Sequence, residues 1–323
     1  MGVAVYLPLL AALLLGASAS RLGRAMAPRT AARALTASAV LVAAATSFAL
    51  GVLAFTLLGT LAPVAALGRW SVTSLSAADP VPQLVAAVAC AAVLLLGASG
   101  ARAAVRRARA LAAARAVCLT LGGGPGQLVV LDDDTDDVYA LPGDRGRIVA
   151  SRSLLAALPP DERRALLAHE TAHLRGRHHL YRAAAELAAA VNPMLRPVTR
   201  AVRYATERWA DEDAATATGD RASVARALAR VGLRRHAAPA PFGWRAVALG
   251  GADSSVVARV RALLAPPPRR RPGALVAQAA LACVLAVTVA STVEAQRDAE
   301  HLFEQARPAV SASAAVGTTA FGR

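Results

Sequence analysis

The chain has 323 residues, 56% of them apolar and only 4% aromatic, with a formal net charge of +15 and a mean hydropathy of +0.44. That hydropathy is too high for an ordinary soluble domain and points to a membrane protein. All 36 basic residues are arginines; they cluster beside apolar stretches and form no DNA-reading motif, which argues for membrane orientation and against a direct nucleic-acid partner.

The first apolar stretch, residues 3–19, is just long enough to span a bilayer. Ala17-Ser18-Ala19 resembles a signal-peptide cleavage site. No positive charge precedes the stretch, however, and Arg21 and Arg24 follow it, which is the charge order of an uncleaved span with its N-terminus outside. A longer apolar stretch, 35–67, places a second span at about 39–60, with Pro63 marking its exit. Trp70 and Pro80-Val81-Pro82 lead into a third span, 84–99, and a fourth covers 273–293. Arg21, Arg24, Arg29 and Arg33 lie between spans one and two. Arg102, Arg106, Arg107, Arg109 and Arg115 follow span three, and Arg269, Arg270 and Arg271 precede span four. All three groups belong on the cytoplasmic side, so both termini are expected outside. Residues 294–323, with Glu294, Asp298, Glu300 and Glu304, are expected as a short, disordered external tail. Cys90, Cys118 and Cys283 have neither metal-site nor disulfide spacing and receive no role.

Between spans three and four, residues 100–272 are the only stretch long and polar enough to bury a soluble core. It opens with a basic helix and passes Gly122-Gly123-Gly124-Pro125-Gly126, which no Gly-Lys-Ser/Thr follows, so it is not a phosphate loop. Short strands are predicted at 127–131, 138–141 and 147–150. The acidic run from Asp132 to Asp137 lacks the glycine and glutamate of a calcium loop and reads as a solvated hairpin. Pro159-Pro160-Asp161-Glu162 signals the start of a helix over 161–176, with Leu166 and Leu167 facing the core. Further helices are predicted at 181–191, broken by Asn192-Pro193; at 197–218, ended by Gly219; at 221–235, capped by Asp220; and at 254–264. Phe242 and Trp244 fall in a loop, 239–251, read as a packed crossing rather than a substrate-facing flap.

The chemistry concentrates in His169-Glu170-Thr171-Ala172-His173, an H-E-x-x-H motif. On a helix, His169 and His173 share one face at i and i+4, so both imidazoles can reach one metal ion, with Glu170 at the rim. Zn2+ held this way lowers the pKa of its water toward about 7, and the neighbouring carboxylate can take the proton as that water attacks a peptide carbonyl. Two residues compete as third ligand. His179 completes H-E-x-x-H-x-x-G-x-x-H through Gly176, the metzincin pattern. Glu207, with Asp211 one turn later, matches the gluzincin arrangement, in which the glutamate ligates and the aspartate holds a ligating imidazole. Glu207 is preferred because two helices each presenting such a pair account for more residues, and Arg177, His178 and His179 can equally form a solvated helix end. Tyr204, His236 and Arg259 are available to stabilise an oxyanion, and none is assigned that role.

Leu141-Pro142-Gly143, the strand ending in Val149-Ala150-Ser151, Leu154-Leu155, Asp161-Glu162, His169 to His173 and Glu207 to Asp211, set between membrane spans, resemble the BlaR/MecR family of membrane metallopeptidases. The chain is more distantly similar to the HtpX/CAAX-protease group, which shares H-E-x-x-H and the later Glu with Asp four residues on. The resemblance implies a mainly α membrane protein: four transmembrane helices, with a cytoplasmic α+β gluzincin-like zinc metallopeptidase domain between helices three and four. It also implies a site that cuts a cytoplasmic repressor or another membrane-proximal protein. Antibiotic-sensing members carry an external penicillin-binding domain with a Ser-x-x-Lys nucleophile. This chain has no lysine, so covalent β-lactam sensing by it is not expected. The same site would serve a housekeeping protease that clears damaged membrane proteins. A non-enzymatic, zinc-stabilised signalling scaffold is disfavoured by Glu170, since a purely structural zinc site needs no base.

Overall fold

The computed structural model describes residues 2–121, 124, 126–132, 137–143, 146–237, 254–266 and 272–307. Four of its helices are long and apolar enough to cross a membrane. The first comprises a 3-10 turn, Val3–Tyr6, running into α1, Leu7–Ala25; the second is α2, Pro28–Leu58. Two short helices, α3 (Ala62–Gly68) and α4 (Val72–Ala78), then lead to the third, α5 (Gln83–Thr120). The apolar span predicted at 84–99 and the basic helix predicted after it are therefore one unbroken helix.

A three-stranded sheet follows: β1 (Leu128–Leu131), β2 (Val138–Leu141) and β3 (Arg147–Ser151). The strands fall where the sequence predicts them, but the order is β1-β3-β2, with β1 parallel and β2 antiparallel to β3. The acidic run therefore does not close a hairpin between β1 and β2. All five residues of β3 are buried, so the most enclosed strand takes the central place and hydrogen-bonds on both sides. Residues 133–136 of the acidic run lie outside the described residues.

The helical remainder is α6 (Arg152–Ala157), α7 (Pro160–Arg175), α8 (His178–Val191), a 3-10 turn Pro193–Leu195, α9 (Arg196–Thr218), α10 (Arg221–Ala237), α11 (Ser254–Leu264) and α12 (Pro272–Gln305). The predicted end signals hold. Gly219 adopts a left-handed conformation at the end of α9, and Asp220 accepts hydrogen bonds from the amides of Ala222 and Ser223 at 2.8 and 3.1 Å. The loop containing Phe242 and Trp244 lies outside the described residues.

Residues 294–305, predicted to begin a disordered tail, instead continue α12. They have tertiary partners: Phe303 packs on Phe55 and Trp70 with ring centroids 5.0 and 4.8 Å apart, Leu302 is buried with Leu75, and Asp298 accepts a hydrogen bond from the Gly2 amide at 2.6 Å. Residues 308–323 of that tail lie outside the described residues.

The stretch between spans three and four has apolar clusters of its own, one over the sheet around Ile148 and Leu154 and one around Ala214 and Leu263, and it also packs on the membrane-length helices. One core combines Leu15 and Ala19 of α1, Leu35 and Val42 of α2, Ala185 and Ala188 of α8, Val198, Val202 and Trp209 of α9, and Leu281 of α12. The contact faces of α1, α2 and α8 are mostly alanine, which lets helix backbones approach closely, as in membrane bundles. At the α8–α9 turn, Asn192 accepts from the Met194 amide at 3.1 Å and donates to Thr46 of α2 at 3.2 Å. Gly16 of α1 permits this approach, because a Cβ there would stand 2.3 Å from the Met194 carbonyl oxygen. Gly16→Val is expected to destabilise the detergent-solubilised chain by about 1–3 kcal/mol or more, since it overpacks against backbone. Gly51→Ala, where an added Cβ meets nothing within 4 Å, is expected to be neutral or slightly stabilising. Thermal unfolding of the two variants side by side tests the contrast.

Candidate metal centre

The site is built by α7, α9 and α11. Helix α7 starts at Pro160 with Asp161 and Glu162 in its first turn, and both acids are tied to α10. Asp161 accepts from Ser223 at 2.8 Å, and Glu162 pairs with Arg230 at 2.7 Å. That anchorage fixes the helix whose later turns carry His169, Glu170 and His173. Helix α9 lies against α7 and brings Glu207 to the two histidines.

His169 Nε2 and His173 Nε2 are 3.1 Å apart, and each lies 3.6 Å from one oxygen of Glu207. The first of these contacts is to Oε2 and the second to Oε1. A tetrahedral ion with bonds of about 2.0–2.1 Å separates its ligand atoms by roughly 3.3–3.4 Å, so the three side chains stand at the spacing from which they could share one ion. The donor set, two imidazoles and a carboxylate, is also that of a catalytic zinc centre with an open position. Among the described residues these three form the group able to hold a metal ion, and His179, half-buried on α8, is not part of it. His178, grouped with Arg177 and His179 as a possible solvated helix end, is instead fully buried. The left-handed Arg177 turns the chain so that α8 begins with His178 pointing inward.

The surroundings set the charge states. Asp211 accepts from His169 Nδ1 at 3.1 Å, which leaves Nε2 directed at the metal position. Burial alone would depress His169, and the hydrogen bonds to Asp211 and Glu207 outweigh it and raise its pKa. Burial holds His173 neutral, as a ligand must be. Burial works against the charge on Glu207, but Arg259 and Arg182 dominate and hold its carboxyl well below the usual range. Arg182 of α8 reaches Oε1 at 2.5 Å and also donates to Thr206 at 2.8 Å; Arg259 of α11 reaches Oε2 at 2.6 Å. Arg259 further grips Asp211 through two hydrogen bonds of 2.6 and 2.9 Å. Glu170 is buried beside His169 and contributes to the field on Arg259.

The family model of peptidase family M48 matches residues 106–268, half of the chain and all of this site. The chain belongs to peptidase family M48. No curated relative and no solved structure matches it. The assignment makes this a metallopeptidase at the level of the family, and it selects neither the BlaR/MecR nor the HtpX/CAAX type.

Several residues of this M48 site were not legible beforehand. Arg259, considered for an oxyanion role, is engaged with Glu207 and Asp211. Arg182 sits in the alanine-rich α8, where sequence offers no sign that its charge is buried. Its partner is 25 positions away and adjacent only after α8 and α9 pack together. Tyr204 lies half-buried on α9.

Arg259→Leu removes the counter-charge of the buried Asp211 and the largely buried Glu207 and is expected to cost about 3–5 kcal/mol, read as a lowered unfolding midpoint. Metal analysis of the purified chain is expected to find one Zn2+ in the parent and in His179→Ala and none in Glu207→Ala. The opposite pattern would transfer the third-ligand role to His179.

Proposed function

We propose that the chain is an integral-membrane zinc endopeptidase that hydrolyses peptide bonds of membrane-proximal proteins on the cytoplasmic side. The observation carrying this reading is the convergence of His169, His173 and Glu207 beside Glu170, within an M48 domain whose helices pack on apolar, membrane-length helices.

His169, His173 and Glu207 would hold the ion, with Asp211 orienting the imidazole of His169 and Arg182 and Arg259 orienting the carboxylate of Glu207. Zinc, when bound, supplies Lewis acidity that polarises a carbonyl and makes water deprotonation feasible near neutral pH. Glu170 takes one proton of the attacking water and returns it to the amide nitrogen as the C–N bond breaks; the second water proton, left on the new carboxyl group, passes to the amine, so the products leave as carboxylate and ammonium.

Cytoplasmic orientation is supported by the position of Arg29 and Arg33, in the first two turns of α2. Their guanidinium carbons stand 5.1 and 5.4 Å from the ring centroid of Trp209, two residues beyond Glu207 on α9. The metal centre thus sits at the arginine-rich end of the bundle, the end retained in the cytoplasm under the positive-inside rule. Four spans with both termini outside complete this topology. The finer reading, drawn from the BlaR/MecR resemblance, is that the substrate is a cytoplasmic repressor in a signalling pathway.

Glu170→Gln is expected to retain zinc and to lower the cleavage rate of a protein substrate about 10²–10⁴-fold or more. Hydrolysis at the parental rate by that variant would sink the assignment of the base, and absence of hydrolysis by the zinc-loaded parent on any protein substrate would leave a scaffold role.

A further inference from the structure

The two ligating histidines are held differently. His169 has a carboxylate, Asp211, on its Nδ1. His173 has another imidazole: His178 Nδ1 lies 2.9 Å from His173 Nδ1, with the rings edge to face, their centroids 4.8 Å apart and their planes at 89°.

Hydrogen-bond logic fixes the tautomers. His173 can offer a lone pair from Nε2 only as a neutral ring protonated on Nδ1, so its Nδ1–H donates to His178. His178 Nδ1 is then the acceptor, and its own proton is on Nε2. That nitrogen is buried and has no hydrogen-bond partner among the described residues. An orphaned polar group of this kind carries a desolvation cost that an apolar side chain filling the same space would not. Packing alone therefore does not account for a histidine here.

The surroundings immobilise the ring. One face tilts against Trp209 at a centroid distance of 4.6 Å; Tyr181 packs on the same indole at 5.8 Å, and Trp209 Nε1 donates to Asp213 at 3.0 Å. Gly176 also stands against the ring, where an added Cβ would lie 2.3 Å from His178 Nε2. The chain arrives through Arg177 in a left-handed conformation at φ 49°, an uncommon state for a residue other than glycine. Backbone, glycine and indole together hold the imidazole in one orientation.

We propose that His178 is a positioning residue for the metal site. By accepting the Nδ1–H of His173 it selects the tautomer and ring orientation that present Nε2 to the ion, the counterpart of Asp211 on His169. The inference rests on the zinc reading above and adds a residue that does not touch the metal. A neutral acceptor on one ligand and a carboxylate on the other makes the two imidazoles unequal donors, with His173 the less basic.

The test is zinc affinity of the full chain in detergent, measured by competition with a chromophoric chelator, for the parent, His178→Leu, His178→Asn and His173→Ala. The asparagine amide oxygen replaces the Nδ1 acceptor, whereas leucine preserves volume and apolarity and removes it. Expected is an affinity about 10–100-fold weaker in His178→Leu, the usual cost of losing such an outer partner, and largely restored in His178→Asn. A role limited to packing predicts the reverse order, so parental affinity in His178→Leu, or His178→Asn no tighter than His178→Leu, overturns the proposal. Loss of zinc in His173→Ala alongside unchanged His178 variants would refute the positioning role while the metal reading stands. A parent chain that takes up no zinc refutes both.

Discussion

Glu207 and Asp211 are carboxylates on one face of α9, Asp211 fully buried and Glu207 only 14% exposed, and holding their negative charge largely away from water is the constraint that shapes the site. An isolated carboxylate in such a position would neutralise by taking up a proton. Here Arg182 approaches from α8, Arg259 from α11, and the two motif histidines from α7. Four helices are thereby tied to one electrostatic centre. The arrangement is weak as a source of net stability, because the desolvation of its charges offsets much of their attraction. Its value lies in specificity: few packings of these helices leave every buried charge compensated.

The same network explains how the site can be enclosed and still suited to a cation. Glu207 is already charged and already oriented by two guanidinium groups, so an arriving ion does not have to organise it. His173 is neutral and His169 has Nδ1 engaged, so both Nε2 atoms turn toward the same point. Around this centre the protein spends its apolar surface on a bundle, where alanine faces and Gly16 bring α8 and α9 against α1 and α2. Catalytic and membrane-length helices thus share a core. The start of α2 is linked to the helix carrying Glu207 through Arg29, Arg33 and Trp209.

Local signals carried much of the fold. Strand positions, the proline-acid start of α7, the glycine end of α9 and the aspartate cap of α10 depend on backbone propensity within a few residues, so they could be read directly. Sheet order could not, because which strand becomes central depends on what packs over it. Nor could the helical extension of α12 through Phe303, whose order comes from an aromatic contact with Phe55 and Trp70 more than 200 positions away.

For the site, sequence by itself determined the residue types and spacings that make metal chemistry available: His169, Glu170 and His173 on one helix turn, and Glu207 with Asp211 on another. The helical period alone puts each set on one face. It left His179 and Glu207 as rivals, because a third ligand is defined by distance in space. Only the tertiary structure supplied those distances, by laying α9 along α7 so that Glu207 meets both histidines while His179 stands outside that group. The same packing buried His178 against Trp209 and brought Arg182 and Arg259 to the carboxylates. A buried charge and an exposed one are the same letter in a sequence, and what separates them is the partner that folding supplies.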